Sequence, residues 1–167
     1  MGEIVTLTLQ EMIHAAQVGV MRRAHGLNGA FNKYKYNEEE PWEVEIVACQ
    51  AELALAKYFN LHWSGVVPFV RDVGDILDAR SIRQPHHRLL IHDDDPNDTP
   101  FVLVLRVDKS KMDFDLRGWV FARDGKLKKY EQEYQPGRPC YYVDNEVLHP
   151  ITRLQPWIDS SRKLLKT

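Results

Sequence analysis

The sequence predicts an α/β domain in which helices flank a mixed central β-sheet. Up to residue 59, two segments carry apolar residues at helical spacing, and the second has neither glycine nor internal proline. After residue 60 the pattern changes to short apolar runs separated by turn residues, which is typical of strands. The chain has 167 residues, 44% hydrophobic and 28% charged, so we expect one domain with a substantial core.

The first helix is expected to begin after Thr8 and to end near Ala24. Thr8 can cap the helix, and Glu11 three residues later completes a capping box. Apolar residues then recur three or four positions apart, at Leu9, Met12, Ile13, Ala16 and Val20. Glycines and asparagines between residues 26 and 32 break the pattern, and a polar connection follows to residue 40.

The second helix is expected to start at Pro41, which suits a first helical turn, and to run to Phe59. Acidic residues around its start interact favourably with the positive end of the helix dipole. Because this segment is apolar on more than one side, most of it should be buried. One face carries small residues together with Glu45 and Glu52. Small residues let a helix lie close to a sheet, which would bring one of these carboxylates near strand residues.

Five strands are expected, over residues 66–70, 76–80, 88–92, 101–107 and 114–121. The run at 101–107 is the longest apolar run and predicts a central strand buried on both faces. We expect it to form a hairpin with the strand at 88–92 through the turn at 93–100. Residues 141–151 predict a further strand and a short helix that pack back on the domain, followed by a basic tail.

The stretch from Asp72 to Arg80 holds the strongest functional signal. Asp72, Asp75 and Asp78 lie on a turn that enters a strand, and Arg80 follows two residues later, on the same strand face as Asp78. Carboxylate oxygens bind hard divalent metals, and a nearby cation can hold a phosphate. Asp and Gly are also favoured in ordinary polar turns, so the stretch by itself fits a turn with no further role.

The order of these features resembles that of the PD-(D/E)XK nuclease superfamily, with its restriction-endonuclease-like fold, and most closely small phage and bacterial proteins of that type. The resemblance covers residues 42–121: a helix with Glu52, the acidic turn, the strand with Asp78-Ala79-Arg80, and two apolar strands. It implies a magnesium-dependent or manganese-dependent DNA nuclease. Asp72, Asp78 and Glu52 would hold the metal, with Asp75 as a rival for the first role, and Arg80 would occupy the position of the family's catalytic lysine.

Two departures from the family's pattern bear on activity. Arginine stays protonated, so Arg80 can hold phosphate or stabilise developing charge but cannot accept a proton. Asp78 is one methylene shorter than the glutamate that many members carry. These departures leave open a second hypothesis, in which the chain is a non-catalytic module of the nuclease fold that binds DNA or a protein partner, as a phage accessory or inhibitory protein would.

Contacts to DNA are expected from a local basic cluster. The formal net charge of −2 excludes a general polyanion-binding composition. Arginines and histidines follow the acidic turn closely and can contact phosphates; the candidates are Arg80, Arg83, His86, His87 and Arg88. The histidines do not match a zinc spacing. The acidic run at 93–98 lacks the glycine and glutamate of a calcium loop, so we expect a solvated loop there.

The remaining expectations concern organisation and setting. A nuclease-like core at 41–121 would lie between an N-terminal helix and connection at 1–40 and a C-terminal extension at 122–167, within a single domain. Cys49 and Cys140 are expected to be reduced thiols. No leader pattern or apolar stretch near the roughly 18 residues of a membrane span occurs, so we expect a cytoplasmic protein without a membrane partner. DNA is the expected partner, and a homo-oligomer or a protein partner stays open.

Overall fold

Two β-sheets and four α-helices form the part of the chain that the computed structural model describes, residues 2–27, 41–65, 73–108, 111–135 and 137–164. In chain order the elements are β1 (Glu3–Thr6), α1 (Leu9–Leu27), α2 (Pro41–Phe59), β2 (Asp78–Ile82), β3 (Leu89–His92), β4 (Pro100–Arg106), β5 (Asp113–Phe121), α3 (Ala122–Gly125), β6 (Glu131–Gln135), β7 (Arg138–Val143) and α4 (Gln155–Leu164). Single 3-10 turns lie at Lys128–Tyr130, Asn145–Val147 and Ile151–Leu154.

Both predicted N-terminal helices are confirmed. The capping box precedes α1: the amide of Glu11 donates to Thr8 Oγ1 at 3.2 Å, and the amide of Thr8 donates to Glu11 Oε2 at 2.6 Å. The helix continues past its expected end to Leu27. The second helix, α2, begins at Pro41 as predicted, and about half of its residues are buried.

The first sheet is mixed, as the sequence predicts. Its strand order is β1-β5-β4-β2. Strand β2 runs parallel to β4, whereas β4 and β5 pair antiparallel and so do β1 and β5. Strand β4 is central and is buried along its whole length except at Arg106, which confirms the interpretation of the longest apolar run. The predicted strand at 66–70 lies outside the described residues.

The predicted hairpin between the strands at 88–92 and 101–107 is wrong. Strand β3 instead pairs antiparallel with β7 in a second sheet, of order β3-β7-β6. The physical reason lies in the loop between β3 and β4. The ammonium of Lys126 donates to the carbonyl oxygens of Asp93 at 2.7 Å and Asp95 at 2.5 Å, and to Asn97 Oδ1 at 3.1 Å. These bonds stabilise a turn that carries the chain from one sheet to the other.

Two apolar clusters fill the spaces between the layers. The first joins α2, one face of the first sheet, and residues from both ends of the chain, including Val5 and Ile158. Alanines Ala51, Ala54 and Ala56 let α2 lie close to the strands. The second cluster lies between the two sheets. A bilayer-spanning helix is absent from the described ranges, since none of their helices combines the necessary length with the necessary apolar character.

Candidate metal site between α2 and β2

Glu52 is a buried carboxylate on α2, with only 4% of the residue exposed. Its two oxygens accept a bidentate pair of hydrogen bonds from Arg22 of α1, at 2.7 Å from Nη1 and 2.8 Å from Nη2. The indole of Trp63 adds a hydrogen bond to Oε2 at 2.9 Å. A buried carboxylate is costly unless it is paired, so Arg22 and Trp63 stabilise the charge of Glu52 at this position.

Asp78 is the first residue of β2, and its side chain is one-fifth exposed. Burial raises the pKa of this carboxyl to about 6 from an ordinary value of 3.8. The guanidinium of Arg80 lowers the pKa, while the negative charges of Asp95 and Glu52 raise it further. The carboxylates of Asp78 and Glu52 are therefore within electrostatic reach of each other, as expected when α2 packs on β2.

Arg80 lies two residues further along β2 and contacts Asp78, which confirms that the two side chains share a face of the strand. Its Nη1 donates to Asp78 Oδ1 at 3.1 Å, and its Nη2 donates to both oxygens of Asp95 at 2.9 Å. Its Nε donates to the carbonyl of Leu90 at 3.3 Å, and the guanidinium lies 4.6 Å from the centroid of the Phe101 ring. Arg80 thus ties β2 to the loop that joins the two sheets.

Asp95 is a site residue that the sequence reasoning missed. The loop at 93–98 was expected to be solvated, but the Asp95 side chain is only 12% exposed and also accepts a hydrogen bond from the amide of His92 at 2.8 Å. That expectation is wrong for Asp95, because pairing with Arg80 makes its burial favourable. Arg22 was also missed as the partner of Glu52. Its signal was an arginine on the helix face that otherwise carries Ala15, Gly19 and Gly26.

The other predicted site residues lie in varied places. Asp72 lies outside the described residues. Asp75 is exposed on the turn before β2, with a positive φ of 60°. Within the basic cluster, Arg83 pairs with Glu43 at 3.7 Å and Arg88 with Asp144 at 3.4 Å. The rings of His86 and His87 are exposed and contact each other edge to face. Of the predicted site residues, Asp78 and Arg80 are in direct contact, and the charge of Glu52 lies close enough to raise the pKa of Asp78.

The donor chemistry of Glu52 and Asp78 suits magnesium. Magnesium prefers oxygen ligands, keeps several waters, and is often held by one or two carboxylates together with substrate phosphates. In the described part of the chain, no group of three or more His, Cys, Asp or Glu side chains could hold a metal ion. Two carboxylates from different elements, one of them partly exposed, fit a site that is completed by water and phosphate.

The metal-free protein is expected to lose stability through Asp78 as the pH rises towards about 6. The folded state raises the pKa of this carboxyl from 3.8 to about 6 and so binds the proton more tightly than the unfolded chain does. Between those values the contribution of Asp78 to the free energy of unfolding falls with rising pH, and above them it is constant. Urea unfolding of wild type and Asp78→Asn in EDTA, from about pH 4 to about pH 8, measures this contribution as a difference. If the difference in free energy of unfolding between the two proteins does not change with pH, the raised pKa of Asp78 is contradicted.

Comparison of the chain with protein-family models, with curated proteins and with solved structures finds no match. The resemblance to the PD-(D/E)XK superfamily therefore rests on the order of the elements and on the residues of the motif.

Proposed function

We propose that the chain is a divalent-metal-dependent DNA nuclease whose site lies between α2 and β2. The observation that carries the proposal is the approach of two carboxylates from different elements, Glu52 and Asp78, beside the guanidinium of Arg80. Their mutual repulsion contributes to the raised pKa of Asp78, and such perturbed carboxyls are concentrated at functional sites. Two free, buried cysteines are consistent with a cytoplasmic setting.

Each residue would have a distinct role in phosphodiester hydrolysis. Glu52 and Asp78 would hold Mg²⁺ or Mn²⁺ through carboxylate oxygens, and Asp72 is the proposed third ligand. The bound metal would polarise a phosphoryl oxygen and lower the pKa of a coordinated water. Arg80 stays protonated and would hold the scissile phosphate. Because Asp95 accepts hydrogen bonds from Nη2 and so fixes the guanidinium, Arg80 needs little reordering to hold the phosphate.

The basic cluster after β2 would hold the DNA backbone near this site. Arg83 and Arg88 are each about one-third exposed, and each forms an ion pair with a carboxylate that is itself partly exposed. Such pairs contribute little to stability, so phosphates can replace the carboxylates at low cost. His86 and His87, exposed on the same short segment, would add contacts to phosphate or sugar.

A specific observation favours a second candidate, a non-catalytic module that binds DNA or a protein partner. Arg22 pairs with Glu52, and Arg80 pairs with both Asp95 and Asp78, through close hydrogen bonds. Ion pairs of this kind satisfy the carboxylates without a metal. Under this hypothesis the same residues link α1 to α2, and β2 to the loop between the sheets, and the basic cluster alone contacts the partner.

Incubation of the purified protein with plasmid, linear duplex and single-stranded DNA separates the two candidates. The nuclease is expected to cleave at least one of these DNAs with Mg²⁺ or Mn²⁺, and EDTA should abolish cleavage. Absence of cleavage in every combination, together with no metal binding by calorimetry, would contradict the nuclease. Salt-sensitive DNA binding that needs no metal and survives Asp78→Asn would instead support the binding module.

A further inference from the structure

Strand β5 contains a β-bulge at Arg117. On β4, Leu103 is aligned with Gly118, but the next residue, Val104, is aligned with Leu116, so Arg117 is the extra residue. A bulge bends its strand and changes the direction in which its side chains point, and bulges are over-represented next to functional sites. The direction of the Arg117 side chain is therefore set by an irregularity in the strand.

The guanidinium of Arg117 contacts the basic loop, by which we mean residues 83–88 between β2 and β3. Its Nη1 donates to the carbonyl oxygen of Pro85 at 3.0 Å. Its Nε lies 3.3 Å from Oδ2 of Asp115, whose side chain is only 6% exposed, against 26% for Arg117. Among the described residues, Nη2 has no hydrogen-bond partner, and it is not a buried atom. Two nitrogens of the guanidinium are thus fixed, and the third keeps two N–H donors that a ligand can reach.

The basic loop is itself held by side chains from distant elements. The carbonyl oxygen of His87 accepts a hydrogen bond from Asn145 Nδ2 at 3.2 Å, and the amide of His87 donates to the carbonyl of Gln84 at 3.1 Å. Together with the bond from Arg117 to Pro85, these contacts turn two backbone carbonyls of the loop towards the rest of the fold. A loop fixed in this way needs little further ordering when it binds a partner, so binding costs less conformational entropy.

We propose that Arg117 is a further phosphate-binding residue, which holds the DNA backbone together with the basic loop. The contacted residue, Pro85, lies two positions after Arg83 and three before Arg88, so a backbone that contacts the loop is also close to Arg117. Arginine suits this role because it stays charged and presents several donors in one plane. Asp115 keeps its ion pair when a phosphate binds at Nη2, so no contact has to be broken. This inference rests on DNA as the partner in the proposed function.

The place of the basic loop in the fold determines which phosphate Arg117 would hold. Strand β2 has five residues, from Asp78 to Ile82, and the loop follows its end. At about 3.3 Å per residue, the loop begins roughly 13 Å from Asp78, which is about four nucleotides at roughly 3.4 Å each along a duplex. The phosphate at Arg117 is therefore not the scissile one. Such a remote contact binds substrate and transition state equally and should affect KM rather than kcat.

Fluorescence anisotropy with a labelled DNA duplex, in EDTA and at several salt concentrations, tests the contact. Each lost phosphate contact reduces the slope of log affinity against log salt by about 0.9, so Arg117→Gln and Arg88→Gln should each reduce the slope by about this amount. Arg153→Gln is the matched control and should keep the wild-type slope. Arg153 is exposed on the turn whose Ile151 and Leu154 pack in the first apolar cluster, away from the space between the sheets.

A second variant keeps the test valid if Arg117→Gln does not fold. Glutamine leaves the buried Asp115 without its cation, which is destabilising, whereas Arg117→Gln combined with Asp115→Asn removes both charges. The double variant should show the same reduced slope, and Asp115→Asn alone should keep the wild-type slope. Circular dichroism of each variant checks that it is folded.

The possible failures separate this inference from the proposed function. A wild-type slope in folded Arg117→Gln or in the double variant, with a reduced slope in Arg88→Gln, would overturn the role of Arg117 alone. Weaker binding by Arg117→Gln with an unchanged slope would show that Arg117 only supports the loop, and would overturn the phosphate contact. A wild type that binds no DNA would overturn the DNA partner and this inference with it. If the wild type cleaves DNA, a lower kcat with unchanged KM in Arg117→Gln would overturn the remote contact.

Discussion

The Asp78→Asn variant is expected to lose about a thousand-fold or more in the rate of metal-dependent DNA cleavage, because a catalytic metal contributes several kcal/mol to the transition state. Asparagine keeps the shape of the side chain but removes the charge that would hold the cation at the proposed site. Arg80 retains its hydrogen bonds from Nη2 to both oxygens of Asp95 in this variant, so the fold should survive. Initial cleavage rates with Mg²⁺ and with Mn²⁺ measure the effect.

Asp98→Asn provides the matched control for that experiment. Asp98 is also an aspartate, but its side chain is 82% exposed on the loop between the sheets, where it pairs with Arg123. The control should cleave at the wild-type rate. Equal cleavage by wild type and Asp78→Asn would indicate a contaminating nuclease and would contradict the proposed site.

Arg22→Met is expected to lower the free energy of unfolding by about 3–5 kcal/mol, since it leaves the buried carboxylate of Glu52 without its cation. Both side chains are almost inaccessible, with 11% of Arg22 and 5% of Glu52 exposed. Removing the charge as well, in Arg22→Met with Glu52→Gln, should recover much of the loss. Urea unfolding of the four proteins in this double-mutant cycle gives the coupling between the two side chains.

Lys128→Met supplies the comparison for an exposed pair. Lys128 is 89% exposed and contacts Glu131 at 2.9 Å, so its removal should leave the unfolding midpoint unchanged within error.

The effect of Mg²⁺ on the free energy of unfolding is a second measurement, and it does not depend on cleavage. If Glu52 is a metal ligand, Mg²⁺ should stabilise Arg22→Met more than wild type, because the ion can replace the lost cation. Equal effects of Mg²⁺ on both proteins would argue against Glu52 as a ligand.

Elements with strong local signals were predictable from the sequence, and those that depend on distant partners were not. The capping box of α1, the proline at the start of α2 and the apolar run of β4 are each complete within a few residues. Strand β1 has a single buried position, and β6 is mostly polar, so neither has a clear pattern. The hairpin prediction failed because adjacency in sequence was taken as pairing, whereas the Lys126 contacts direct β3 to β7.

The candidate site likewise contains contacts that local sequence patterns predict and contacts that depend on distant residues. Residues two apart on a strand must share a face, so the contact of Asp78 with Arg80 follows from spacing alone. The approach of Glu52 was expected from the small residues on its helix. Asp95 could not be placed in the site by local reasoning, because its burial depends on an arginine 15 residues earlier, on strand β2 of the first sheet. Arg22 likewise pairs with a helix 30 residues further on.

The pairing of β1 with β5 has a consequence for how the chain acquires its structure. Glu3 is aligned with Leu116, so β1 has its partner strand more than one hundred residues later in the sequence. The first sheet cannot close until β5 has been synthesised, and the second sheet cannot close until β7, which lies later in the sequence, has been synthesised. Contacts of such high sequence separation slow folding, since a large loop must be ordered before the pairing stabilises it. Both sheets therefore depend on contacts between residues that lie far apart in the sequence.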